Sequence, residues 1–376
     1  MAANFCYSTD LTNLTLKLSK TQTPINAASM FTAGIVGNVL ALFILIRHAK
    51  QHKWGIFYRL VAALASTDVF GIVTTGPVAF AVYNNNFKWV GGQPLCDYLS
   101  FMLIFSGVAT LGIMTSMSLD RYLALWYPYF YNSLQKKRRI HVMLVGIWLF
   151  AAFIASLPLM KFGRNIRHFP CTWCLFDYFG TYPTDKAFSI MFALLGILSI
   201  LSSSTFNCLV IFAVCKGASG GRRGSVKSTR GKERQRRSEI YILIFLFAIL
   251  ISHAICWIPL MIRILLNTSG ATPTDRQADI LAFRLAALNQ ILDPWLYILL
   301  RKEVLARVYR FYRKKRYGER LDSAKESTTG NSTEETSGSV RGNIRLQQLN
   351  PKDKKILKKM NSADSNITYV PTVSGK

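Results

Sequence analysis

Apolar residues in this chain are gathered into long blocks separated by short polar stretches. A helix of about 20 mostly apolar residues is needed to cross a hydrocarbon core. Seven blocks meet that length: Ala27–Ile46, Leu60–Tyr83, Tyr98–Leu123, Val142–Met160, Ala187–Val214, Ile240–Leu266 and Ile280–Leu300. The pattern predicts an all-α membrane protein, a seven-transmembrane helix bundle. An odd number of spans puts the two termini on opposite sides.

Charge orients the bundle. Lys and Arg number 46 against 19 Asp and Glu, a formal net charge of +27, a surplus that in a soluble chain would suggest nucleic acid. Here the cations collect in "RHAKQHK" (Arg47–Lys53), "QKKRR" (Gln135–Arg139), "GRRGSVKSTRGKERQRR" (Gly221–Arg237) and the stretch after Arg301. These are alternate loops and the tail, so the positive-inside rule makes that side cytoplasmic and excludes a nucleic-acid partner. The expected location is the plasma membrane, multi-pass, with the N-terminus extracellular and the C-terminus cytoplasmic. Met1–Ala27 has no apolar centre, so the first span is expected to direct its own insertion rather than follow a cleaved signal. Sequons at Asn13 and Asn267 fall outside and are expected to be glycosylated, whereas those at Asn331 and Asn366 fall inside.

Three regions follow: an outer arm (1–26), a membrane domain (27–317) and a cytoplasmic tail (318–376). "KEVLARVYRFYRKKRY" (Lys302–Tyr317) places Val304, Leu305, Val308, Phe311 and Tyr312 at helical spacing opposite Arg and Lys, which predicts a short amphipathic eighth helix along the inner leaflet. The tail is too polar to bury a core and is expected to be disordered. Its "STTGNSTEETSGS" (Ser327–Ser339) mixes hydroxyls with acids, suiting a receptor kinase and then arrestin.

Catalytic chemistry leaves no trace: there is no HExxH, GxSxG or phosphate loop, and none of the five histidines is paired at metal-ligand spacing. An enzyme and a cofactor are therefore not expected. No lysine lies between Ile280 and Leu300, so a retinal Schiff base is excluded. What stands out is polarity inside the spans, costly in hydrocarbon and usually turned toward a bundle interior. Asn38, Asp68, Thr110 and Asp293 sit near mid-depth in four spans. They could hold a cation near Asp68, sodium for instance, share a proton, or simply fix helix packing. Arg284 stands about 14 Å outward of Asp293 at 1.5 Å per residue, either snorkelling to headgroups or offering a fork to a carboxylate. Arg263 is a rival cation, with snorkelling the better reading for it. Cys6, Cys96, Cys171 and Cys174 fall outside, where disulfides persist, and allow three pairings. Cys208, Cys215 and Cys256 read as packing residues.

At the inner end of the third span, "DRY" (Asp120–Tyr122) sets an acid beside a base. "CWIP" (Cys256–Pro259) and "DPWLY" (Asp293–Tyr297) place Pro259 and Pro294 inside spans, where a missing donor invites a kink. Together with Asn38, Asp68 and Trp148, in this order on seven spans, these motifs resemble the class A, rhodopsin-like, G-protein-coupled receptors. Amine receptors resemble one another in a third-span aspartate where this chain has Leu103, so an ammonium ligand is not expected. "FRLAALNQILDPWLYILLRK" (Phe283–Lys302) and "FPCTWCLFDY" (Phe169–Tyr178) resemble the seventh helix and lid loop of the prostanoid receptors. "VYNNNFKWVGGQPLCDY" (Val82–Tyr98) is similar to the fourth subtype of the E-type prostaglandin receptors.

The resemblance implies a receptor for a prostaglandin-like lipid acid, with a heterotrimeric G protein as partner and cyclic AMP rising through a stimulatory one. Arg284 would pair with the carboxylate, Tyr83 and Thr172 would hydrogen-bond it, and Cys96–Cys174 would tether the lid. Phe80, Met102, Phe105, Ser106, Trp257 and Ala287 are candidate pocket residues. Asp120 would restrain Arg121 at rest, with Tyr122, Pro259, Asp293, Pro294 and Tyr297 serving activation and coupling, while Arg59, Lys136 and Lys137 would line the G-protein mouth. Departures are Ala287 and Gly107 where E-type relatives carry serines, Asp120 for glutamate, and the tryptophan of "CWIP". A second disulfide, Cys6–Cys171, would pin the arm over the lid. A transporter using Asp68 and Asp293 as a proton relay would call for structural repeats, and the sequence has none.

Overall fold

Seven long helices make up most of the described chain: α1 (Pro24–Arg47), α2 (Ile56–Asn84), α3 (Gly92–Trp126), α4 (Lys136–Ser156), α5 (Pro183–Ser219), α6 (Thr229–Ser269) and α7 (Arg276–Leu299). The computed structural model describes residues 24–47, 56–86, 88–131, 136–180, 182–219, 229–271 and 273–299. The amphipathic helix, the tail, Cys6 and Asn13 lie outside the described residues.

The predicted blocks fall on these helices, with one early end. α4 stops at Ser156 and residues 157–160 form turns, because Pro158 lacks a backbone donor and disfavours helical geometry in the residue before it. At the other extreme, α6 begins at Thr229, so part of the basic loop continues the helix.

Six of the helices are long and apolar enough to cross a membrane. The seventh, α7, is not among them because it carries Arg276, Asp279, Arg284 and Asp293. Its place in the bundle tolerates those charges, since α7 packs between α6 and α1 and both of its acids are buried. The ring runs α1 to α2 to α3, then from α3 to both α4 and α5, and closes through α6 and α7. Central α3 is accordingly buried along most of its length. The outer surface exposes Phe43, Leu149, Phe153 and Leu198, as hydrocarbon rather than water would require.

The helix bundle is the predicted one, and between α4 and α5 it carries a short hairpin. β1 (Asn165–His168) and β2 (Trp173–Phe176) pair antiparallel, with Asn165 opposite Phe176 and Arg167 opposite Cys174. All four residues of β2 are buried, so its backbone groups need partners, and β1 supplies them. A Cys96–Cys174 disulfide ties the hairpin to the first turns of α3.

A small apolar cluster, with Val78 and Leu99, surrounds the disulfide, and two large ones fill most of the interior. One, beneath the hairpin, includes Phe176, Phe188, Phe192, Trp257 and Leu260; the other, toward Arg121, includes Leu45, Leu60, Ile113, Met117 and Tyr297. Asn38, Asp68, Thr110, Asn289 and Asp293 are all buried and sit along their helices near the border between the two.

Candidate functional site

The hairpin is a lid anchored on three sides. Trp173 stacks on Phe283 of α7, with ring centroids 3.9 Å apart. His168 lies between Trp173 at 4.8 Å and Tyr178 at 4.4 Å, and its Nε2 meets the Phe176 carbonyl at 3.1 Å. Burial pushes the His168 pKa down to about 4, so the ring is neutral. Arg164 bonds Asp185 at 2.9 Å and Asp177 at 3.3 Å, holding the lid to α5. Thr268 at the end of α6 donates to the Tyr178 carbonyl at 2.9 Å.

Beneath this lid is a cavity of about 230 Å3, walled by Leu99, Leu103, Trp173, Leu175, Phe192, Trp257, Leu260, Phe283, Ala286 and Ala287. Thr75, Ser106, Thr172 and Gln290 supply its polar atoms, and no acid or base is among the lining residues. Such a hollow is suited to a largely apolar ligand oriented by a few hydrogen bonds. Gly107 on the wall admits the indole of Trp257.

Of the residues singled out in the sequence, Thr172, Ser106, Trp257 and Ala287 line the cavity. Phe80, Phe105, Met102 and Tyr83 are not among the lining residues. Phe80 packs edge-on against Phe31 of α1 at 5.2 Å, and Phe105 sits against Phe70 and Phe101; both aromatics are spent on helix packing. Met102 and Tyr83 are half-buried outside the lining.

Arg284 is exposed and is not a lining residue, although Phe283 and Ala287 are. At about 100° of turn per residue, its backbone stands at the margin of the cavity. Among the described residues it has no hydrogen bond or ion pair. Arg263 is committed: it donates to Asp279 at 2.6 Å, to Asn267 at 3.3 Å and to the Asp275 carbonyl at 3.0 Å. The snorkelling expected of Arg263 is thereby corrected.

Asn267 is 4% exposed, within α6, and donates to Asp279 at 2.9 Å while accepting from Arg263. A glycan on that amide nitrogen would compete with its bond to Asp279, while the oxygen could still accept from Arg263. Cys171 is disulfide-bonded; Cys6, the partner expected for it, lies outside the described residues.

At the opposite end, Arg121 is ion-paired to Asp120, lies 4.8 Å over the Phe57 ring and donates to the Tyr131 hydroxyl at 3.3 Å. Burial pushes the Tyr131 hydroxyl up to about 12, so it stays protonated. Tyr122 packs at a tilt against Phe206 of α5, with ring centroids 5.4 Å apart. Arg59 bonds His141 of α4 at 2.9 Å, which links α2 to α4. Lys136 and Lys137 belong to the first turn of α4.

The buried polar residues form three sets of hydrogen bonds. Thr110 donates to Asp68 at 3.4 Å, and Asn38 donates to the carbonyls of Gly34 and Gln290 at 3.0 and 2.9 Å. Asn289 donates to Asp293 at 2.9 Å, and its oxygen meets His253 at 3.3 Å. Pro259 and Pro294 are each inside a helix, beside these groups. Among the described residues no cluster of three His, Cys, Asp or Glu is placed to hold a metal.

Sequence reading missed Gln290, His253 and Asn289. The available signal was the one that found Asp68: a polar side chain inside an apolar span.

Residues 37–297 match the 7 transmembrane receptor (rhodopsin family). The mouse prostaglandin E2 receptor, EP4 subtype, is 34% identical over 319 residues, covering 74% of this chain and 62% of that protein. The mouse prostacyclin receptor is 37% identical over 295 residues, covering 76% and 69%. The match thus spans less than two thirds of the EP4 relative's length. In fold, squid rhodopsin aligns with a TM-score of 0.66 at 19% identity, over 84% of this chain and 91% of that one.

Proposed function

The chain belongs to the rhodopsin family of seven-transmembrane receptors, on its EP4 and prostacyclin receptor branch, and from that premise we propose that it binds an E-type prostaglandin beneath the hairpin and activates a heterotrimeric G protein. A single observation carries the reading. A lidded cavity with no acid or base among its lining residues has an uncommitted guanidinium, Arg284, at its margin. The apolar chains of a lipid acid fill the hollow while its carboxylate stays at the mouth, with Arg284, Thr172 and Tyr83 around it. A charge-assisted hydrogen bond contributes roughly 1.5 to 3 kcal/mol, which orients a ligand whose remaining contacts are non-directional.

Ligand burial then shifts a two-state bundle. At rest Asp120 and Tyr131 hold Arg121. α6 swings about Pro259, Arg121 is released, and the cytoplasmic mouth opens to a stimulatory G protein, raising cyclic AMP. Arrestin and a receptor kinase act on the tail. The basic loops support a plasma-membrane orientation with the hairpin on the outer side.

The test is a panel of lipid acids, amines and peptides applied to cells expressing the full chain, with cyclic AMP as readout. A response confined to prostanoids is expected. A response to peptides or amines alone would replace the ligand assignment and leave the fold untouched.

A further inference from the structure

Gln290 is the uncommitted polar group on the floor of the cavity. It lines the hollow with Ser106 and Thr75. Its backbone carbonyl is taken by Asn38, but among the described residues its side-chain amide has no hydrogen-bond partner. That amide lies over bare backbone: a Cβ built on Gly71 would come 3.1 Å from Gln290 Nε2 and 3.1 Å from Ser106 Cβ.

The neighbouring hydroxyls have already spent their hydrogens. Ser106 Oγ donates to the Leu103 carbonyl at 3.3 Å, and Thr75 Oγ1 donates to the Gly71 carbonyl at 2.7 Å. Each therefore presents only acceptor lone pairs to the cavity. The floor thus offers donors and acceptors to something not made of protein, in a hollow otherwise apolar.

We propose that Gln290 recognises a neutral hydroxyl of the ligand, distant from its carboxylate, and thereby selects among lipid acids. The assignment rests on the cavity holding a lipid acid. Both halves of the primary amide are used: Nε2 donates to the hydroxyl oxygen and Oε1 accepts its hydrogen. The Ser106 and Thr75 oxygens complete the polar floor. Six residues separate Gln290 from Arg284, about 9 Å along the helix axis. The hydroxyl is therefore set apart from the carboxylate by a comparable length of chain, and a plain fatty acid that fills the same hollow leaves the amide unpaired. A site built to hydrogen-bond a hydroxyl discriminates steeply against the analogue that lacks it.

The experiment is competition binding on membranes bearing the full chain, with tritiated prostaglandin E2 as tracer. Competitors are prostaglandin E2 and two analogues in which the ring or the chain hydroxyl is replaced by hydrogen. In the wild-type chain, one of the two deoxy analogues is expected to bind about tenfold or more weaker than its parent. In Gln290→Leu that ratio should fall to near one through weaker binding of the parent, and Gln290→Met should repeat the result should Leu impair folding. Arg284→Ala should weaken parent and analogues by a common factor and keep the ratio. A ratio unchanged in the Gln290 variants overturns the role of Gln290 while leaving the carboxylate site standing. Wild-type membranes that bind no prostanoid overturn both.

Discussion

Trp257 and Gly107 occupy each other's space: a Cβ built on Gly107 would lie 2.8 Å from the indole Cη2 of Trp257. The glycine is what lets a tryptophan lie across the floor of the cavity from α6 to α3. Gly107→Ala should therefore push the indole aside, and overpacking of this kind costs about 1 to 3 kcal/mol. A lower melting temperature in detergent is expected. Trp257→Phe, which lacks the outer ring, should restore it in the Gly107→Ala background. Equal melting of Gly107→Ala and wild type would show that the two residues do not interfere.

Arg284→Ala should weaken prostaglandin E2 binding by about 1.5 to 3 kcal/mol, the range for a charge-assisted hydrogen bond. At 1.4 kcal/mol per tenfold, that is roughly 10-fold or more. The exposed setting of Arg284 in the unliganded chain means the ion pair must be completed by the ligand, so melting without ligand should stay near wild type. Saturation binding checks the first expectation and detergent melting the second.

The spans and the motifs around Asp120, Pro259 and Asp293 were legible because each depends on local chemistry, whereas the Cys96–Cys174 tether joins residues 78 apart and came only from the resemblance. A 20-residue apolar block is a helix in lipid whatever its neighbours are. The direction of a side chain is another matter. Phe80 and Phe105 were assigned to the pocket by resemblance, yet each found an aromatic partner on an adjacent helix, and no pattern within one helix states which neighbour will be met. Arg263 and Asp279 are 16 residues apart and on different helices, so their pairing was illegible as well, as was the use of Asn267 between them. The hairpin was hidden for a similar reason: β2 is a strand because β1 is there to pair with it.

The lid should loosen in acid. Burial between Trp173 and Tyr178 lowers the His168 pKa to about 4 from its ordinary 6.5. Above pH 6.5 the ring is neutral whether the lid is folded or not, and the full stability is present. Between 6.5 and about 4 the unfolded lid takes up a proton that the folded one refuses, so stability falls as pH falls, by about 1.4 kcal/mol per unit. Below about 4 both forms are protonated and the loss levels off, at roughly 3 kcal/mol. Hydrogen exchange of the hairpin amides at pH 7.5 and pH 5, corrected for intrinsic rates, should show this loss, and His168→Phe should remove it. A pH-independent opening equilibrium in the wild-type chain would exclude His168 as its cause.

Arg263, Asn267 and Asp279 join α6 to α7 beside the lid. Arg263 Nε bonds Asp279 Oδ1 at 2.6 Å, and the Asn267 amide bonds the same oxygen at 2.9 Å. Asp279 is 5% exposed, so removing its cation leaves a buried charge without compensation. Arg263→Ala should cost about 3 to 5 kcal/mol, the range for breaking a buried pair from one side. Removing both charges with Arg263→Met and Asp279→Leu should recover most of that loss, because the penalty arises from the stranded carboxylate and not from a missing attraction. Asn267 carries the same logic into modification. Ser269→Ala deletes the sequon but leaves the Asn267 contacts intact, so gel mobility and melting should match wild type. Asn267→Ala also deletes it and should lower stability by about 1 to 3 kcal/mol through the lost hydrogen bonds. A mobility shift on glycosidase treatment that disappears in Ser269→Ala would mean that Asn267 carries a glycan at the expense of its bond to Asp279.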